Sequence, residues 1–334
     1  MLTKTIFNIK MGLWSRFSPE VLRDSESTLE SFADVKLHRK QVEVSPGNYI
    51  SSFTCGDPSN PPMILMHGYC GAGLIFYKTL KGLSDHYYLY IVDHIGMGRS
   101  SRPEFKAIST FEAETFFVEA LEAYRDALNL DKVILAGHSL AGYISGCYSL
   151  RYPQHVSALL MLSPGGVAEK PSDSTHPSVW SSGWVKKFLL FFWLQNISLI
   201  ELMRKFGPLS GKIMKGYMRG RNDLPEKEQI VMEEYLEQIN LLPGSGEHAV
   251  NYILDFELWP YSPLCRRLPE LKAPIAFFYG DRDWMVADGG YKTKERSENL
   301  VQVHIISNSD HHMYWDNPEE LKNKMLSALK QMGL

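Results

Sequence analysis

The chain has four cysteines in 334 residues, Cys55, Cys70, Cys147 and Cys265, and no two are spaced as a zinc site or redox motif requires. They read as free thiols in a reducing compartment, which sets a disulfide framework aside. Charge of one sign is also lacking. The 35 basic and 38 acidic residues leave a net charge of −3, without the basic surplus that nucleic-acid binders carry, so no nucleic-acid partner is expected. Long hydrophobic runs are missing too: Phe188 to Leu194 is the densest and falls far short of the roughly 20 residues that span a bilayer. No basic segment followed by an apolar one opens the chain as a secretory signal would, so Asn196-Ile197-Ser198 reads as a chance sequon. Residues 1–19 contain no acid and carry Lys4, Lys10 and Arg16 among apolar residues. They weakly resemble a mitochondrial presequence or an amphipathic segment lying on a membrane, with an ordinary arm as the plain alternative. The expected location is intracellular, in the cytoplasm and peripheral on membranes, with the mitochondrion left open.

What is present is ordinary globular composition, 44% apolar and 22% charged, without periodic repeats. Residues 1–45 read as an N-terminal arm with one helix near Pro19 to Phe32. Short runs that are apolar throughout then follow at Pro62–Met66, Tyr88–Val92, Lys132–Ala136 and Ala158–Leu162. Such runs suit strands buried on both faces of a parallel sheet. A helix between the second and third is opened by Ser109 with Glu112 as a capping box and carries Phe116, Phe117, Ala120, Leu121 and Tyr124 at helical spacing. After Pro164 the rhythm breaks for about a hundred residues. It resumes at Ile275–Tyr279 and Val301–Ile306, and a last amphipathic helix runs from about Pro318 to Met332. The expected fold is α/β, a mostly parallel central sheet flanked by helices, with a core of residues 46–165 and 267–334 and an inserted helical cap at 166–266.

Gly137-His138-Ser139-Leu140-Ala141-Gly142 joins a buried strand to a helix rich in small residues. A serine there stands on a tight, strained turn that needs small neighbours two residues to either side; Ala141 occupies a position where glycine is commoner. The Leu140 N–H then faces developing negative charge with the helix dipole behind it. A second such donor, the Tyr69 N–H, is expected from His67-Gly68-Tyr69-Cys70-Gly71-Ala72-Gly73, where glycines let the backbone approach a bound carbonyl.

A serine hydroxyl needs a base. His311 follows the last strand, where the chain order Ser, acid, His places it, with His312 as the adjacent alternative. The acid is expected in Gly280-Asp281-Arg282-Asp283, with Asp283 turned to the site and Asp281 holding the loop. His138 and His67 read as structural partners of loop backbone. No cofactor and no metal are expected, since the histidines and carboxylates form no ligand set.

With these motifs, and with Gly96-Met97-Gly98-Arg99-Ser100-Ser101-Arg102-Pro103 and His311-His312-Met313-Tyr314-Trp315-Asp316, the chain resembles the α/β-hydrolase family of lysophospholipase and N-acyl-phosphatidylethanolamine lipase type. That group also holds a mitochondrial cardiolipin deacylase and a lipid-droplet lipase coactivator. The likeness runs from Trp14 to about Leu329. It implies the α/β-hydrolase fold and a serine esterase with Ser139, Asp283 and His311 as triad. The coactivator branch looks like a hydrolase that has lost its nucleophile, whereas Ser139 is present here. Some members are described as lysophosphatidate acyltransferases on a His-x4-Asp pattern, here His311 and Asp316, although Asp316 is placed to cap the final helix.

The insert sets Phe188 to Leu194 among Lys186, Lys187, Arg204, Lys205, Lys212, Lys215, Arg219 and Arg221, against the single acid Glu201. Aromatics flanked by cations suit a phospholipid or lysophospholipid surface, a membrane or lipid droplet, met through the cap. The alternative is a helical lid whose aromatics pack inward. Asp223 to Glu237 is acidic and reads as solvated surface that pairs with the basic lid.

Overall fold

The computed structural model describes residues 17–172, 183–206, 216, 218 and 224–334. Eight strands form one sheet: β1 His38–Ser45, β2 Asn48–Cys55, β3 Pro62–Met66, β4 Tyr88–Val92, β5 Val133–His138, β6 Val156–Leu162, β7 Ile275–Gly280 and β8 Val301–Ile306. The order is β1-β2-β4-β3-β5-β6-β7-β8. β1 and β2 pair antiparallel, as do β2 and β4, and all pairs beyond β4 are parallel.

The apolar strands divide their residues between two cores by the period of two that a pleated strand imposes. Ile64, Met66, Leu135 and Met161 pack on one face with α3 (Thr110–Ala127) and α4 (Leu140–Arg151). Leu65, Ile134, Leu160 and Phe278 pack on the other with α1 (Pro19–Phe32), α2 (Tyr77–Ser84) and the final helix. The helix after β3 and the helix after β5 therefore lie on opposite faces of adjacent strands. Their loops splay apart at the carboxyl ends of those strands, which is where open α/β sheets form their crevice.

Of the expected arm, residues 17–45 are described, and their helix and strand belong to the core. His38–Ser45 is the edge strand of the sheet, and α1 buries Leu22 and Leu29 in the core. The polar run His-Arg-Lys-Gln hides this strand because most of its residues face solvent, as edge strands commonly do. α1 is tied down by a buried carboxylate. Arg99 grips Glu26 through Nε–Oε1 at 2.9 Å and Nη2–Oε2 at 2.8 Å, and Arg39 adds a bond of 2.9 Å to Oε2.

Between β6 and β7 lie α5 (Trp184–Trp193), α6 (Leu199–Phe206) and α7 (Glu226–Leu241). The ends of this segment meet, Leu264 N–H bonding Gly166 O and Cys265 N–H bonding Val167 O, each at 3.0 Å. α7 is less solvated than its acidic sequence suggests: Met232, Tyr235, Leu236 and Ile239 join the core on the α1 side. Its Glu228 pairs with Lys78 and Tyr77 of α2, and Lys186, Arg204 and Lys205 pair with Glu257, Glu247 and Glu201 instead. Lys212, Lys215, Arg219, Arg221 and Asp223 lie outside the described residues. Among the described residues, no helix is long and apolar enough to cross a membrane.

Two longer helices follow in the C-terminal part of the chain, α8 (Asp288–Arg296) and α9 (Pro318–Gln331), with one short turn of helix at Met313–Asp316 between them. The cap of α9 is Asn317, whose side chain accepts from Glu320 N–H, and not Asp316 as expected. Asp316 instead accepts the Asp310 N–H at 2.8 Å, because it closes the loop before the helix.

Removing the Glu26 carboxylate leaves Arg99 without its carboxylate partner and Arg39 with only Glu30, at 3.5 Å, beneath α1. Glu26→Ala is expected to lower stability in urea unfolding by about 2 to 4 kcal/mol. Glu20→Ala, on the exposed side of α1, is expected to change it by less than about 0.5 kcal/mol.

Candidate active site

β5 ends at His138 and α4 begins at Leu140, so the chain reverses within one residue. Ser139 takes φ 55° and ψ −117°, in the left-handed half of the map that L residues avoid. Its N–H bonds Leu162 O of β6 at 2.9 Å, and its carbonyl accepts Gly165 N–H and Gly142 N–H at 3.0 Å. The small neighbours are needed for clearance. A Cβ on Gly137 would stand 2.5 Å from Ser145 Oγ, and one on Gly68 would stand 2.8 Å from Ser139 Cβ.

His311 Nε2 lies 3.0 Å from Ser139 Oγ, and His311 Nδ1 lies 3.2 Å from Asp283 Oδ1. The Asp283 side chain is fully buried, and the same oxygen accepts the Met285 N–H at 2.9 Å. His312 points elsewhere, its ring stacked on Trp315 at 4.7 Å. Asp281 holds the histidine loop through Asn308 N–H and Ser309 N–H, both at 2.9 Å, and these donors keep its carboxyl below the usual range. His138 Nε2 bonds the His311 carbonyl at 2.8 Å, so this ring supports the loop. Trp284, about half exposed, sits with its ring 5.0 Å from that of His311 and forms a wall beside it.

The oxyanion turn is organised by a second pair of histidines. His67 Nδ1–H donates to Gly68 O at 2.8 Å and its Nε2 accepts the His94 N–H at 3.2 Å. His94 Nε2–H in turn donates to His67 O at 3.0 Å. Burial pulls the His67 ring down to about 4 and the His94 ring to about 3, so both are neutral and hold backbone. Gly71 N–H closes the turn on Gly68 O at 3.1 Å. The Tyr69 N–H enters no backbone hydrogen bond among the described residues, and the Leu140 N–H, first in α4, has no acceptor within its helix.

Three contributors to this site escape the sequence reading. Asp93 bridges Gly73 N–H at 2.7 Å and Arg99 N–H at 2.8 Å, which ties the oxyanion loop to the Gly96–Arg102 loop. Asn240 of α7 donates to Cys70 O at 2.9 Å. Arg102 donates to Gly96 O, Gly98 O, Pro243 O and Ile239 O. Only Asp93 leaves a trace in the sequence, in Gly98 five residues on, where a Cβ would meet its carboxyl at 2.5 Å.

A mainly parallel sheet with a left-handed serine at its central crevice, bonded in line to a histidine and an aspartate, defines the hydrolase class of α/β proteins. Residues 61–318 match the family described as alpha/beta hydrolase fold, and the chain belongs to that family. It is 29% identical over 322 residues to 1-acylglycerol-3-phosphate O-acyltransferase ABHD5 of Rattus norvegicus, covering 91% of this chain and 88% of that one. It is 28% identical over 306 residues to (lyso)-N-acylphosphatidylethanolamine lipase of Homo sapiens, covering 89% and 88%. A membrane phospholipase A described as a bacterial virulence factor superposes with a TM-score of 0.68 over 94% of this chain and 91% of its own, at 20% identity, which speaks for the fold.

Two outcomes follow from this packing. Gly68→Ala forces a methyl against Ser139 Cβ and His138 Nδ1, and urea unfolding is expected to show a loss of about 1 to 3 kcal/mol. Burial pushes the Asp93 carboxyl from its ordinary 3.8 up to about 6, against the pull of its two N–H partners. In the window between those values the folded chain keeps a proton that the unfolded chain has released, so Asp93 makes stability fall as pH rises. Asp93→Asn removes that fall. The stability of wild type relative to Asp93→Asn is expected to drop by about 2 to 3 kcal/mol between pH 4 and pH 7, read from urea midpoints.

Proposed function

We propose that this chain is a serine carboxylic-ester hydrolase that deacylates phospholipids or lysophospholipids, N-acylated ones included, at a lipid surface. The observation that carries this reading is the row Ser139 Oγ, His311 Nε2 at 3.0 Å, and Asp283 Oδ1 at 3.2 Å from Nδ1. Ser139 Oγ attacks the ester carbonyl while His311 Nε2 takes its proton, and buried Asp283 fixes the tautomer and stabilises the imidazolium. The Tyr69 and Leu140 amides receive the oxyanion, a pair whose loss costs about 3 kcal/mol per donor in comparable sites. The imidazolium returns its proton to the leaving alcohol oxygen. Water, deprotonated by the same ring, then releases the fatty acid from Ser139.

The lipid class is supported by two relatives, the rat 1-acylglycerol-3-phosphate O-acyltransferase and the human (lyso)-N-acylphosphatidylethanolamine lipase. It is also supported by α5, where Lys187, Phe188, Phe191 and Leu194 are exposed on one side while Trp193 packs inward against Phe256. Such a stripe suits a membrane or droplet surface met through the inserted segment.

A second reading, acyl transfer to a lysophosphatidate, is favoured by the name of the rat relative. It uses the same acyl-enzyme with a lipid hydroxyl in place of water. Asp316 accepts the Asp310 N–H at 2.8 Å and so supports the loop that carries His311 in either reading.

A fluorophosphonate probe is expected to label wild type and not Ser139→Ala, and His311→Ala is expected to slow labelling by at least about a thousandfold. Release of free fatty acid from lysophospholipid vesicles without acyl-CoA marks hydrolysis, whereas acyl-CoA-dependent formation of diacyl product marks transfer. A folded wild type that stays unlabelled overturns both enzyme readings in favour of a lipid-binding regulator without catalysis.

A further inference from the structure

We propose that Asn240, on the inserted helix α7, is a positioning residue for the oxyanion turn, so that the seating of this helix and the stabilisation of the transition state are linked. The inference rests on the serine-hydrolase reading above. Its basis is a relay of three hydrogen-bonded units. Asn240 Nδ2 donates to Cys70 O at 2.9 Å. That carbonyl shares a peptide unit with the Gly71 N–H, which donates to Gly68 O at 3.1 Å. Gly68 O shares the next unit with the Tyr69 N–H. A trans peptide points its N–H and C=O in opposite directions, so each bond in the relay orients the following unit and the last one aims the Tyr69 N–H. Successive bonds of this kind also polarise one another.

His67 Nδ1–H also holds Gly68 O at 2.8 Å, so the bond from Asn240 acts first on the Cys70–Gly71 unit. Cys70 has φ 63°, a conformation that needs outside support in a non-glycine residue. A small cavity opens beside the bond, lined by Cys70, Gly71, Met97, Arg102, Ile239 and Asn240, so the turn has room to relax once the donor is gone. α7, by contrast, is fixed independently. Its Gln238 accepts Ser18 N–H at 2.7 Å, its Glu228 pairs with Lys78 at 2.9 Å, and Arg102 holds Ile239 O and Pro243 O at 3.2 and 2.9 Å. A helix anchored on α1, α2 and the Gly96–Arg102 loop thus touches the oxyanion turn through the Asn240 amide, and the segment just after it through Tyr235 at the Leu74 backbone.

The test compares wild type and Asn240→Leu, full length, in hydrolysis of p-nitrophenyl butyrate and in inhibition by an alkyl trifluoromethyl ketone, which binds as a tetrahedral adduct. The expected result is that kcat and inhibitor affinity each fall about tenfold with KM unchanged. Should Asn240→Leu fold poorly, Asn240→Asp, which keeps the shape and removes the donor, carries the same comparison. Unchanged kcat and inhibitor affinity, or a raised KM with kcat intact, overturns the role of Asn240 while fluorophosphonate labelling of wild type keeps the serine reading. Wild type that is neither labelled nor active overturns both.

Discussion

The site depends first on a backbone conformation that Ser139 would not adopt unaided. A left-handed φ of 55° at a residue with a Cβ costs about 1 to 3 kcal/mol. It persists because β6 and the loop after it claim both of its backbone polar groups: Leu162 O takes the N–H, and Gly165 N–H reaches the carbonyl. The same conformation lifts the hydroxyl off the sheet and directs the first amide of α4 into the crevice. Gly68 and Gly137 are therefore requirements of packing, since the oxyanion turn and α4 close on the serine to within a methyl group.

Around that turn, support comes from increasing distance along the chain. Asp281 and Asp316 fix the ends of the histidine loop through backbone N–H groups. Asp93 fixes the loop that follows the oxyanion turn, and Arg99, whose N–H it accepts, extends the network to Glu26 on α1. An N-terminal helix and the catalytic crevice thus share one buried polar network. Such networks specify a unique arrangement only when their members are satisfied. Glu26, with three guanidinium contacts within hydrogen-bonding distance, meets that condition.

How much of this was legible in the sequence follows from the range of each interaction. β3 through β7 are mostly apolar runs buried on both faces, so their residues alone identify them, and β8 at the edge keeps enough valine and isoleucine to be read as a strand. β1 and β2 are not such runs: His38–Gln41 face solvent, and β2 buries the polar pair Ser51-Ser52, where Ser100 Oγ accepts the Ser51 N–H and Tyr124 OH donates to Ser52 Oγ. Ser139, Asp283 and His311 were readable because chain order after successive strands constrains them, and their side chains lie within hydrogen-bonding distance of one another in a row. Between His311 and His312 the sequence offered only position; the ring stacking of His312 on Trp315 separates them. Asn240 and Glu26 act across 170 and 73 residues, and no local pattern carries such information.

The same geometry bears on the choice between water and a lipid hydroxyl as acceptor. In the proposed acyl-enzyme, His311 Nε2 is the base for either, and the Tyr69 and Leu140 amides hold the same oxyanion. Of the His-x4-Asp pair, Asp316 accepts the Asp310 N–H and so ties the histidine loop, while His311 faces Ser139 and Asp283. The triad is therefore indifferent to the acceptor, and selection falls to whatever controls access to the acyl-serine. Trp284 walls one side of that access, and the inserted helices supply the exposed apolar stripe of α5. Under the role proposed for Asn240, the insert proposed to meet the lipid is covalently continuous with the helix that sets how fast the acyl-enzyme reacts. Sequence changes in the insert can then alter acceptor choice and rate together while leaving Ser139, His311 and Asp283 in place.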